Sequence, residues 1–170
     1  MFRRLLRHKQ QLSDAECIEI LKSEPRGVLS VIGDEGYPYG LPIDHWYCEE
    51  NGKLYFHCGK IGHKLDAIRA CDKVSYCVMD GGTPEEGGWA LYFRSVIVFG
   101  RAKIIEDKAR IIEITRQLSY KFTDDTAYIE EEIRRFSAGT LCIELTPEHI
   151  CGKRRRHRRP PRRHREGASC

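Results

Sequence analysis

The sequence predicts a mainly β fold, an antiparallel barrel of about six strands with a few peripheral α-helices. Three observations predict it. Short apolar runs rich in Val, Ile, Tyr and Phe recur along the 170 residues. Turn signals of the hairpin kind, Asp34-Glu-Gly36 and Glu49-Glu-Asn-Gly52, join several of them. No internal repeat divides the chain, and its length suits one domain.

The elements follow in order. Ser13-Asp-Ala-Glu16 fits a capping box, with Cys17, Ile18 and Leu21 giving the next helix an apolar stripe. Pro25 and Gly27 end that helix, and Gly27–Ile32 reads as a short, buried strand. Tyr37–Cys48 reads as one long strand carrying Pro38 and Pro42. Proline cannot donate to a ladder, so this strand bends or lies at an edge. Lys53–Cys58 is a strand, His63–Ala70 a short helix with Leu65 and Ile68 inward, and Lys73–Met79 another strand. Gly81–Gly88 is a flexible loop. Trp89–Ile105 is too long for a straight strand and is expected to curve, with a break near Arg94 or Gly100. Asp107–Tyr120 aligns Ile111, Ile114 and Leu118 on one helical face, and Asp124–Phe136 aligns Ile129, Ile133 and Phe136 on another. Thr140–Leu145 is the last strand.

Charge is unevenly spread. Residues 152–170 hold nine Lys or Arg and one acid, whereas the rest holds 20 basic and 24 acidic side chains. The net charge of +4 therefore belongs to the tail, and the folded body is acidic. Residues 1–152 form the expected domain, and the arginine-rich segment 153–170 is expected to be disordered. Dense arginine binds phosphate polymers, so the tail is a candidate nucleic-acid contact. It lacks aromatic residues for base stacking, and a solvated extension is the simpler reading. No apolar run is long enough for a membrane helix, and the basic N-terminus lacks the apolar stretch of a secretory signal. The eight cysteines form no C-x-x-C pair, and several sit in apolar runs, as Cys77 and Cys142 do. They read as reduced, buried side chains in a cytoplasmic protein.

Three segments stand out chemically. Gly59-Lys-Ile-Gly62 followed by His63-Lys64 places free backbone N–H groups and a cation at a helix start, which suits a phosphate as well as it suits a plain solvated turn. Gly40-Leu-Pro-Ile-Asp-His45 reads as a wall for a flat ring or as a proline-protected edge. Arg94 and Ser95 interrupt an apolar strand and need polar partners, which a ligand or a strand bend supplies. Strand alternation sends His57 and Cys58 to opposite faces, and with His63 they match no common zinc spacing, so no metal site is expected. No single cysteine is selected as a nucleophile, and no catalytic residue is assigned.

These motifs, in order, also carry a resemblance. Arg3-Arg4 through Gln11-Leu-Ser-Asp-Ala-Glu-Cys17 begins it. Gly36-Tyr-Pro-Tyr-Gly-Leu-Pro-Ile43, Leu54-Tyr-Phe-His-Cys58, Gly62-His-Lys-Leu-Asp66, Lys73-Val-Ser-Tyr-Cys77 and Ser95-Val-Ile-Val-Phe-Gly-Arg101 follow. Together they resemble the pyridoxamine 5′-phosphate oxidase-like, FMN-binding split-barrel proteins, in the branch that includes nitroimidazole-resistance (Nim-type) proteins. The resemblance implies a split β-barrel homodimer with FMN at the dimer interface. It implies that Leu41, Pro42, Ile43 and Asp44 line the isoalloxazine, that His57 and Cys58 sit beside it, and that Gly62, His63 and Lys64 hold the phosphate. Ser95 and Val96 would lie near the ribityl chain or phosphate, and Gly152, Lys153 and Arg154 would approach the flavin across the dimer. The branch also contains haem and F420 binders. The expected activity is reduction of a small electron-poor molecule of nitroaromatic type, with NAD(P)H as donor. The alternative is a non-enzymatic cofactor-binding or nucleic-acid-binding protein that uses its basic tail.

Overall fold

A computed structural model describes residues 2–84, 86 and 89–155. The first helix, α1 (Asp14–Ser23), begins with the expected capping box: the Glu16 N–H donates to Ser13 Oγ at 3.3 Å, and the Ser13 N–H donates to Glu16 Oε2 at 2.8 Å. Cys17, Ile20 and Leu21 are its buried residues, with Ile18 only partly buried at the rim of the core.

Strand β1 (Arg26–Ile32) alternates, burying Gly27, Leu29 and Val31 while Val28 and Ile32 are exposed. It is thus half-buried, and the continuous apolar run reflects two apolar faces. Strand β2 (Pro38–Asp44) pairs with β1 alone, at the edge of the sheet, where the missing proline N–H groups cost no ladder bond.

The stretch 37–48 is two strands and not one. After His45 the chain leaves β1, and β3 (Trp46–Cys48) pairs with β4 (Lys53–Gly59) at the opposite edge. Helix α2 (His63–Ala70) and strand β5 (Lys73–Met79) follow as expected. In the loop beyond, Thr83–Pro84 (β6) pairs with Leu91–Tyr92 (β7). Strand β8 (Arg94–Ile105) carries a bulge at Phe99/Gly100. A Cβ at Gly100 would stand 2.2 Å from the Thr146 carbonyl oxygen, so glycine is required where the two strands close up. Helices α3 (Lys108–Ser119) and α4 (Thr126–Phe136) are capped by Asp107 and Asp125.

The last strand, β9 (Thr140–Arg154), is much longer than the expected Thr140–Leu145. It pairs with the whole of β8, and its first six residues also pair with β4. The order β2-β1-β5-β8-β9-β4-β3 thus forms one antiparallel, curled sheet, the split-barrel architecture. Inside it lie Leu29, Phe56, Tyr76, Val96, Val98, Ile143 and Leu145, all essentially inaccessible to water. The expected boundary after residue 152 moves outward, because Lys153 and Arg154 belong to β9 and the Arg155 N–H donates to the Phe93 carbonyl at 3.1 Å. The rest of the expected disordered tail, 156–170, and part of the loop expected to be flexible lie outside the described residues. No helix among the described residues is long and apolar enough to cross a membrane. All seven described cysteines are free, but Cys77 is exposed and Cys71 and Cys151 are half-buried, contrary to the expectation of burial.

Candidate functional site

The end of β2 is held by a polar anchor under it. His45 is fully buried, and its Nε2 lies 2.7 Å from the Leu21 carbonyl at the C-terminal end of α1. A carbonyl can only accept, so Nε2 carries the proton and Nδ1 is left to meet the Tyr76 hydroxyl at 2.8 Å. The same hydroxyl lies 2.9 Å from the Ile43 carbonyl, so its single proton is shared between Nδ1 and that carbonyl, and the sharing ties the β2 wall to the barrel interior. Burial, reinforced by the nearby Lys121 ammonium, pushes the His45 pKa down to about 3. Lys121 itself donates to the Glu24 carbonyl at 2.7 Å, and burial lowers its pKa to about 8.

On the wall, Leu41, Ile43 and Asp44 are half-buried and Pro42 is exposed. Arg26, the register partner of Asp44, grips its carboxylate with two bonds of 2.5 and 3.1 Å. That bidentate pairing keeps Asp44 from being a lone charge beside a bound ring.

The start of α2 forms the second part. Gly62 stands at the N-cap with φ of 137°, no side chain caps the helix, and a Cβ at Gly59 or Gly62 would meet nothing within 4 Å. The first N–H bonded within the turn is that of Leu65, to the Gly62 carbonyl at 2.9 Å, so the His63 and Lys64 N–H groups precede the ladder. The other three α-helices are all capped by side chains. An open glycine cradle, unpaired N–H groups and an adjacent lysine fit a phosphate. The His63 ring is turned elsewhere. It stacks on Tyr39 at 4.3 Å, its Nε2 sits 3.6 Å from the exposed Asp34 carboxylate, and it closes over Gly33. His63 thus clamps α2 to the β1–β2 turn and offers an anion its backbone N–H.

His57 joins the two parts. Desolvation lowers its imidazole pKa, Lys64 lowers it further, and Asp44 opposes both. The Asp44 and Lys64 charges thus both act on His57, and β2 and β4 run close together, so the ends of β2 and β4 and the start of α2 lie in one region. Cys58 is buried and points into the barrel, and desolvation raises its thiol pKa against the pull of Lys64. Its side chain cannot flank a ring on the outer face, and a protonated buried thiol is a poor nucleophile.

The remaining expected residues separate. Ser95 and Lys153 are register partners on the outer face, and Ser95 is also paired with Met79. Val96 is wholly inside the barrel, so only its backbone is near them. Arg154 is committed to Glu16 through bonds of 2.6 and 2.8 Å that fasten α1 to β9. The anchor His45–Tyr76 and the Arg26 partner escaped the sequence reading, since their partners lie far away in the chain. One signal was available: β1 and β5 are apolar at both even and odd positions, the mark of a sheet apolar on both faces. In register across five strands, Pro42, Val28, Cys77, Ile97 and Cys151 form an outward row, with Val28 42% and Ile97 36% exposed.

Comparison with known proteins places this geometry. A family model described as pyridoxamine 5′-phosphate oxidase matches residues 13–154. No curated protein matches. Among solved structures, a conserved hypothetical protein from Mycobacterium tuberculosis is 18% identical, with a TM-score of 0.75 over 88% of this chain and 90% of that one. A candidate 5-nitroimidazole antibiotic resistance protein from Bacteroides thetaiotaomicron is 16% identical, with a TM-score of 0.70 over 85% and 86%. An FAD and heme binding protein from Mycobacterium smegmatis is 19% identical, with a TM-score of 0.68 over 85% and 72%. At these identities the structures share the fold. The curled antiparallel sheet agrees with a family match spanning nearly the whole described body: the chain belongs to the pyridoxamine 5′-phosphate oxidase family.

Proposed function

We propose that this protein is an FMN-binding oxidoreductase that works as a homodimer and reduces a small electron-poor molecule of nitroaromatic type at the expense of NAD(P)H. The observation that carries the reading is the uncapped start of α2, where the His63 and Lys64 N–H groups precede the helix ladder and the Lys64 charge acts on His57 together with that of Asp44. When bound, the flavin supplies the redox chemistry, exchanging electrons one or two at a time. The chain supplies position and electrostatics. The α2 start holds the phosphate. Leu41 and Ile43 present the wall, and β2, paired on one side only, leaves alternate backbone groups free to bond a ring edge. His57 is neutral at pH 7 and offers one donor and one acceptor. The flavin-binding relatives of this fold support the cofactor class.

The outward apolar row from Pro42 to Ile97 supports the homodimer. Val28, Ile32, Met79 and Ile97 are all exposed on neighbouring strands of one face. A contiguous apolar face of this kind marks an interface, and Ser95 and Lys153 border it. The test is the absorption spectrum of the purified protein, followed by FMN titration. Flavin bands, or a rise in melting temperature with FMN, are expected. A Soret band would assign haem instead, and a colourless protein indifferent to FMN would refute the proposal.

A further inference from the structure

The N-terminal arm does more than precede α1. Its Phe2 ring stacks on His149 at 4.7 Å and 10°, and approaches Phe99 at 5.5 Å, making a three-ring platform on the outer face of β8 and β9. The arm's far end is pinned by a bridge from Gln11 to Lys153 and by the Leu12 N–H bond to the Gly152 carbonyl at 3.0 Å. Between arm and sheet lies a two-lobed groove, with lobes of about 840 and 620 Å³. The larger lobe is lined by Phe2, Arg3, Arg4, Phe99, His149 and Lys153, with Arg7 beside them. No carboxylate lines either lobe. Among the described residues, Arg3, Arg4, Arg7 and Lys153 form no ion pair, although most of the other described arginines are paired.

This combination selects a ligand. Unpaired guanidinium groups favour phosphate, which they bind in bidentate fashion. Stacked rings favour a flat aromatic, and the volume suits one nucleotide and not a polymer. We propose that the groove is a nucleotide site that takes an adenosine diphosphate group, with the base against the Phe2–His149–Phe99 platform and the phosphates on Arg3, Arg4 and Lys153. Lys153 is also the register partner of Ser95, so the groove reaches the border of the proposed dimer face. Two redox molecules carry this group: a reduced nicotinamide dinucleotide, or a flavin dinucleotide. That the occupant serves the redox reaction rests on the proposed function, whereas the binding itself does not.

The test is calorimetric titration of the full chain with ADP, and with adenosine and pyrophosphate as half-ligands. ADP is expected to bind more tightly than either half. The Arg3→Ala/Arg4→Ala double variant, and separately Phe2→Ala, should each weaken ADP by about tenfold or more without lowering the melting temperature. Pyrophosphate binding as tightly as ADP would reduce the groove to a charged patch and overturn the proposal. ADP binding unchanged in the arm variants would do the same. Competition then identifies the source: displacement of ADP by NADH assigns the nicotinamide dinucleotide, and displacement by FAD but not FMN assigns the flavin dinucleotide. ADP bound with neither competing would refute the assignment. Because the ADP titration needs no flavin, failure of the FMN reading and failure of this site give different results.

Discussion

Acidification should loosen this fold through His45 before most of its carboxylates matter. The side chain is wholly buried, and its pKa falls from an ordinary value of 6.5 to about 3. The unfolded chain therefore binds a proton between pH 6.5 and 3 that the folded chain refuses. Stability is complete above the unfolded pKa and is lost as pH falls through 6.5 towards 3. Each unit corresponds to about 1.4 kcal/mol, so moving from pH 7 to pH 4 removes about 3 kcal/mol through this group alone. That is a large share of the roughly 5–15 kcal/mol typical of a domain. The assay is urea denaturation at several pH values for the wild type and for His45→Gln, which cannot titrate but keeps amide donor and acceptor. The wild type should lose about 3 kcal/mol more than the variant over this span. Parallel stability profiles for the two proteins would refute the reasoning, because they would mean that His45 is already charged in the fold.

Other outcomes follow from single contacts. Gly100→Ala forces a Cβ to within 2.2 Å of the Thr146 carbonyl, and should cost about 1–3 kcal/mol in denaturant melts, with β8 and β9 pushed apart. Val28→Lys puts a charge within the outward apolar row and should convert a dimer to a monomer in light scattering, with the circular dichroism spectrum retained; an unchanged mass would place the interface elsewhere. Lys121→Met removes a half-buried ammonium whose pKa is about 8. Between pH 8 and 10.5 the unfolded wild type holds a proton that the folded one sheds, so wild-type stability should rise with pH in that window and the variant's should not.

How far the sequence carried this picture depends on the range of the interactions. The Ser13–Glu16 capping box and the prolines of β2 act within a few residues, and both were legible: one as a helix start, the other as an edge. The turn Gly59–Gly62 was legible as a cradle because glycine positions report backbone geometry directly. Tyr37–Cys48 misled, because nothing local marks His45 as the point where the chain changes edges; its partners are Leu21 and Tyr76. Strand β9 was cut short for the same reason. Thr146–Arg154 contains a proline and several charges, and only pairing with the 12-residue β8 makes it extended. The faces of Cys58, Cys77 and Val96 were hidden by apolar runs on both sides of the sheet. His63 was placed at the right helix end, but its ring turns to Tyr39 for a packing reason that sequence does not reveal.

The most direct test of the central claim is an FMN titration of the wild type and of Lys64→Ala, followed by flavin fluorescence. Lys64 is half-buried at the open start of α2 and makes no structural ion pair among the described residues. The account predicts that the wild type binds FMN and that the variant, equally stable without ligand, binds it more weakly by about 1.5–3 kcal/mol. Equal affinities in the two proteins, or no binding by either, would contradict it.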